Sequence, residues 1–287
     1  MRRLLVLALL VEPAAAAPSA RCVIDPLPAK PAATTTVPPC HQAPAKDAAT
    51  IRAAIAKRYY AVHDRGKPEV TFGCDGLGPR IREIVIETGS GHGGYLALWR
   101  ARRGTGTSYD VRGIIYQGDS MVQAAATPPF QIATGTVELP ELELVRASVA
   151  ATVREVAPPP KPGTIGGMRG GSSSRNFHLL VRLTDDDGRV LERRYTGYEG
   201  TSGQDVYLGL EVAAGSLGKV TALAGSKIAP TDLDRALFLD RFAASVPHFD
   251  DQFYWWVMER QVDLARHLGT RATIPGLLTR LVVTKPD

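Results

Sequence analysis

The chain has 287 residues, 44% of them hydrophobic and 22% charged, with a formal net charge of +5. That length and apolar content allow one large domain or two small ones with a real core, and they exclude a wholly disordered chain. The positive surplus, from 26 arginines and 8 lysines against 29 acidic residues, is mild and not concentrated in a tail.

The chain opens MRRLLVLALLVEPAAAAPSA: two arginines, an apolar run from Leu4 to Val11, then small residues with Ala-x-Ala spacing. This is the layout of a secretory signal, and the run is too short to anchor in a bilayer. A signal peptide over residues 1–17 is expected, with cleavage near Ala16 or Ala17. Arg21 directly before Cys22 does not fit a lipoprotein signal. No later segment reaches the roughly 18 uncharged apolar residues of a membrane helix. The expectation is therefore an exported protein, periplasmic or secreted, with no membrane span and no nucleic-acid partner.

Residues 18–45 hold most of a Pro/Ala/Thr tract with little to build a core, and a disordered leader is expected there. The globular body is expected over 46–287. The three cysteines are Cys22, Cys40 and Cys74, and an oxidising compartment would pair two of them. Cys40 with Cys74 would tie the leader to the body, and Cys22 with Cys40 is the rival pairing.

Asp47 is expected to cap a helix in which Ile51, Ala54, Ile55 and Tyr59 recur at helical spacing, and Gly66 with Pro68 ends that pattern. The period then changes to two. YLALWRARR, a Gly-Thr-Gly turn at 104–106 and SYDVRGIIYQ predict a β-hairpin over 94–117. ELELVRASVAATVREV, residues 141–156, alternates Val145, Ala147, Val149, Ala151 and Val153 with Arg146, Ser148, Thr152 and Arg154, which predicts a strand with one wet face. Residues 157–175 have no core-forming pattern and read as a long loop, either a boundary between lobes or a flap. A second hairpin follows, FHLLVRLT and RVLERRYT around Asp185–Gly188, with Phe177, Leu179, Val181 and Leu183 facing inward.

Helical spacing returns from Gln204 through Val206, Leu210, Ala213, Leu217 and Val220, weakened by Gly209, Gly215 and Gly218. Thr231 with Asp234 is a capping signature for TDLDRALFLDRFAAS. Beyond Pro247 a helix starting near Asp250 carries a stripe of Tyr254, Val257, Met258, Val262, Ala265 and Leu268, with Gly269 as its stop. FYWW at 253–256 reads as an aromatic core anchor. The order of elements predicts an α+β fold: an antiparallel sheet built from hairpins, covered by an N-terminal helix and C-terminal helices.

IIYQGDSMVQ, residues 114–123, resembles the nucleophile block of GDSL-type hydrolases. The resemblance implies Ser120 as nucleophile, helped by a later glycine, an Asn in a Gly-x-Asn block and a late Asp-x-x-His. The chain's one asparagine, Asn176, follows Ser174 and Arg175, and no histidine has an aspartate three positions before it. The block also follows a hairpin strand rather than the first strand of a parallel sheet. Asp119 and Ser120 therefore read as a turn.

Other candidates are equally local. Four glycines surround His92 in ETGSGHGGY, without the helix start that a phosphate loop needs. The six histidines form no H-x-x-x-H pair and there is no C-x-x-C, so no metal or other cofactor is expected. Arg100, Arg102, Arg112, Arg146, Arg154 and Arg182 fall on polar strand faces and could form a basic sheet face for a protein or anionic ligand. The leading expectation is an exported, non-catalytic envelope or secreted protein that binds a partner. The alternative is a hydrolase whose site assembles from separate segments, with Ser120, His92, Asp119 or Asp75 taking part.

Overall fold

The computed structural model describes residues 43–62, 67–90, 95–117, 130–156, 176–198, 204–248 and 255–283. The chain divides into two units, Met1–Val37 and Pro38–Asp287, and every described residue belongs to the second. Its elements in chain order are α1 (Ala45–Val62), β1 (Lys67–Phe72), β2 (Ile81–Ser90), β3 (Tyr95–Arg103), β4 (Ser108–Gln117), β5 (Phe130–Glu138), α2 (Leu142–Ala150) and β6 (Ala151–Val156). They continue as β7 (Asn176–Asp185), β8 (Val190–Tyr198), α3 (Gln204–Ser216), α4 (Gly218–Thr221), β9 (Gly225–Ser226), α5 (Asp232–Ser245), α6 (Trp255–Leu268) and α7 (Ile274–Val283).

The fold is α+β. Seven strands form one sheet in the order β8-β7-β2-β3-β4-β5-β9, every pair antiparallel, and β1 with β6 makes a separate two-stranded ribbon. The β3–β4 and β7–β8 hairpins form where alternation predicts them. In the first, Trp99 lies opposite Gly113, and a Cβ on Gly113 would come within 2.2 Å of the indole ring. A side chain there would displace the largest buried group of the sheet.

Helices cover both faces of the sheet. On one face Ala97, Trp99, Ala101, Val181 and Leu183 pack with Val145 and Val149 of α2 and with Leu210, Ala213, Leu217 and Val220 of α3 and its extension. On the other face Val85, Leu96, Leu98, Ile114 and Ile132 pack with Phe238 and Phe242 of α5 and Trp256, Val257 and Leu264 of α6. A third cluster joins Ile51, Ile55 and Tyr59 of α1 to Ala147, Val153 and Leu208. Trp256 is buried, as the core reading of FYWW requires; the side chains of the other three residues lie outside the described set.

Three expectations change. The stretch 141–156 is not one strand: it forms α2 over Leu142–Ala150 and turns into β6 at Ala151. The cause is burial on two sides. Val145 and Val149 face the sheet while Ala147 faces α1, so apolar residues fall at every second position of a helix. Second, the sheet has no fully wet face, because α5 and α6 cover the side that carries its polar residues. Third, Asp47 lies in the first turn of α1, which already starts at Ala45.

The glycines that weakened the α3 prediction have a packing explanation in part. A Cβ on Gly209 would stand 2.7 Å from the carbonyl oxygen of Ser148, so α3 touches α2 backbone to backbone at that point. The Thr231–Asp234 capping box of α5 is present, with the Asp234 carboxylate accepting the Thr231 N–H at 2.8 Å. The residues near Asp250 where the last long helix was expected to begin lie outside the described residues, as does the 157–175 stretch.

Candidate functional site

The polar residues of the covered sheet face stand in rows set by strand register. One row runs Glu192, Arg182, Val85, Arg100, Arg112 across β8, β7, β2, β3 and β4. The next runs Arg194, Leu180, Glu87, Leu98, Ile114, and the third runs Thr196, His178, Gly89, Leu96, Tyr116.

The arginine row is real for Arg100, Arg112 and Arg182, but α5 and Glu83 of β2 supply its counter-charges. Arg112 forks onto Asp234 with two contacts of 2.8 Å, and Arg182 donates to Asp240 at 2.7 Å. Arg100 lies 3.3 Å from Glu83, which also accepts from Arg102 at 2.9 Å. Burial would raise the Asp234 carboxyl, yet hydrogen bonds from Arg112 and Thr231 hold it below the usual carboxylate range. Arg146 is on α2 and Arg154 on β6, so neither belongs to this sheet face. The expected open basic face is thus a row of arginines paired with an acidic helix and with Glu83.

Between that row and α6 lies a buried cluster that sequence reasoning missed. Glu87, His178, Arg241, Ser245 and Gln261 are each at most 1% exposed. Arg241 donates from Nε to Oε2 of Glu87 at 3.0 Å and from Nη1 to Glu192 at 3.3 Å. Gln261 donates from Nε2 to Glu87 Oε1 at 3.4 Å and to Ser245 Oγ at 3.2 Å. Nε2 of His178 stands 2.9 Å from Glu87 Oε1. On its other side, His178 Nδ1 meets the Thr196 hydroxyl at 2.7 Å. Trp256 closes over the imidazole edge-on, with ring centroids 6.4 Å apart. Burial pushes the Glu87 carboxyl up, but His178 and Arg241 outweigh it and hold the group far below the usual carboxylate range. Chemically, the cluster is a carboxylate, an imidazole and a hydroxyl in series, with only Thr196 half-buried rather than buried.

Of the earlier candidates, Ser120, Asp119 and His92 lie outside the described residues. Asp75 is described and buried, and its Oδ2 accepts from Arg146 Nε at 2.9 Å and Nη2 at 2.6 Å. Its Oδ1 accepts the Leu77 N–H at 3.0 Å, so the carboxylate is fully engaged in tying the 74–79 turn to α2. That is a structural role. Cys74 is disulfide-bonded, and its partner lies outside the described residues. Among the described residues no group of His, Cys, Asp and Glu is placed to hold a metal ion, and no helix is long and apolar enough to cross a membrane.

The largest opening among the described pockets is a groove of about 680 Å³ where α1, α2, α3 and α4 meet. Lys57 and Arg58 of α1 form one wall, Glu211, Gly215 and Ser216 of α3 another, and Lys219 of α4 the end. Arg58 and Glu211 pair across it at 3.5 Å, and Glu141 is the other acidic residue of the lining. A Cβ on Gly215 or Gly218 would touch nothing within 4 Å, so the backbone is uncovered there. A second opening of about 480 Å³ lies beside the β3–β4 turn, lined by Arg80, Arg103, Tyr109 and Glu143 among others. Compared with known proteins, the chain matches no family model, no curated protein and no solved structure.

Proposed function

We propose that the protein is exported to the periplasm or the medium and binds a partner, without acting on it, in the groove between α1 and α3. The observation that carries this reading is the groove itself: three cations, Lys57, Arg58 and Lys219, face two carboxylates, one of them already paired with Arg58. The unpaired lysines leave a positive surplus, which favours a partner segment rich in acidic side chains. Uncovered backbone at Gly215 and Gly218 lets an extended segment approach closely. Export is supported by the MRRLLVLALLVEPAAAA pattern, and a Cys40–Cys74 bridge would fasten the leader beside this domain.

The test is fluorescence anisotropy with a labelled hexaglutamate peptide at near-physiological salt. The double variant Lys57→Glu/Lys219→Glu should weaken binding by about tenfold or more, since it reverses both free charges. Arg193→Glu, at an exposed residue of β8 that does not line the groove, should leave the affinity unchanged. Equal binding by the wild type and the double variant, or no binding by either, would refute the assignment.

A further inference from the structure

On the opposite face of the sheet, the Glu87–His178–Thr196 series has the order of parts that activates a hydroxyl. Its acid is fully buried, its base is shielded under Trp256, and the hydroxyl alone is half-buried on edge strand β8. Pairing of His178 with Thr196 in the β7–β8 ladder fixes both side chains on one face, so the 2.7 Å contact is set by strand register rather than by a mobile side chain. In the neutral imidazole, Nε2–H faces the Glu87 carboxylate and Nδ1 is left to take the hydroxyl proton. The carboxylate stays charged because Arg241 also neutralises it. Gln261 and Arg241 hold it from two further directions, so its position under His178 is preset.

We propose that Thr196 is a nucleophile toward activated acyl or phosphonyl esters, with His178 as its base and Glu87 as the group that positions and stabilises the imidazole. With an acyl ester, the Thr196 Oγ bonds to the carbonyl carbon as its proton passes to Nδ1 of His178. The ester C–O bond then breaks, and the leaving alkoxide takes that proton, giving a threonyl ester and a free alcohol. Water and the same base reverse the roles and release the acid. No electrons are transferred and no co-reactant beyond water is needed. Threonine is a crowded secondary alcohol and Arg241 draws charge from Glu87, so the reaction is slow relative to a serine hydrolase.

The experiment exposes the full chain to a fluorophosphonate probe and reads the adduct by intact mass and peptide mapping. The reactive hydroxyl displaces fluoride, so one adduct on Thr196 is expected in the wild type. Thr196→Ser should keep the adduct and form it faster, and Thr196→Val should lose it. His178→Gln should slow labelling by about 100-fold, the scale of a lost general base. Melting curves accompany the variants. Should His178→Gln unfold, the wild-type mapping with the Ser and Val variants decides alone. No adduct, an adduct on any other residue including Ser120, or labelling that survives in Thr196→Val overturns the proposal. The readout is independent of the groove, so loss of peptide binding leaves it standing.

Discussion

Glu87→Gln is the sharpest test of the buried cluster. The substitution keeps size and shape but removes the charge that faces Arg241 at 3.0 Å, with both side chains fully buried. Breaking a buried ion pair by removing one partner costs about 3–5 kcal/mol. The lower end applies here because Arg241 Nη1 keeps Glu192, itself partly exposed, at 3.3 Å. A loss of about 3 kcal/mol lowers the melting temperature of a domain this size by roughly 6–12 °C. Urea unfolding followed by circular dichroism measures it. Glu87→Gln combined with Arg241→Met should cost less than the sum of the two single changes, by about 1–3 kcal/mol. The sign with pH follows from the depressed Glu87 carboxyl: its stabilisation is present above the ordinary carboxylate range near 4 and is lost as pH falls below it. The Gln variant should therefore lose less stability than the wild type on acidification. A shift under about 1 kcal/mol, or strictly additive single changes, would refute the account of a coupled buried pair.

Two further outcomes follow from the packing and the cysteines. Gly209→Ala should destabilise by about 1–3 kcal/mol, because α3 must move off the Ser148 carbonyl to admit a methyl group; thermal unfolding reads it, and an unchanged melting point would contradict the close helix contact. Peptide mapping after alkylation without reduction should recover Cys40 linked to Cys74 and Cys22 alkylated, and a Cys22–Cys74 peptide would reassign the bridge.

The hairpins were legible because alternation survives wherever one face is apolar and the next strand is close in sequence. α2 was not, because it is pressed between sheet and α1 and so shows apolar residues on two sides. The second helical cover could have been suspected from two details. Ile84, Val85 and Ile86 are consecutive apolar residues in β2, and Leu180 sits between His178 and Arg182 on the supposedly wet side of β7; all four are at most 1% exposed. The Glu87–His178–Thr196 series could not be read from spacing, since its members are 91 and 18 positions apart and meet only through the register of β2, β7 and β8. The arginines carried a true signal with the wrong destination: Arg112 and Arg182 meet Asp234 and Asp240 of α5, which look from sequence like ordinary helix surface, and Arg100 and Arg102 meet Glu83 of β2.

The two margins of the main sheet differ in a way that bears on how copies of this molecule stay apart. At one margin β9, only two residues long, stops the ladder after Ser226. The other margin is β8, nine residues long, and it carries three consecutive charges, Glu192, Arg193 and Arg194. A neighbouring chain that tried to extend the sheet there would have to strip water from the exposed Arg193 before gaining a single backbone bond. The sequence that equips this border for the Glu192–Arg241 contact also guards it against runaway strand addition.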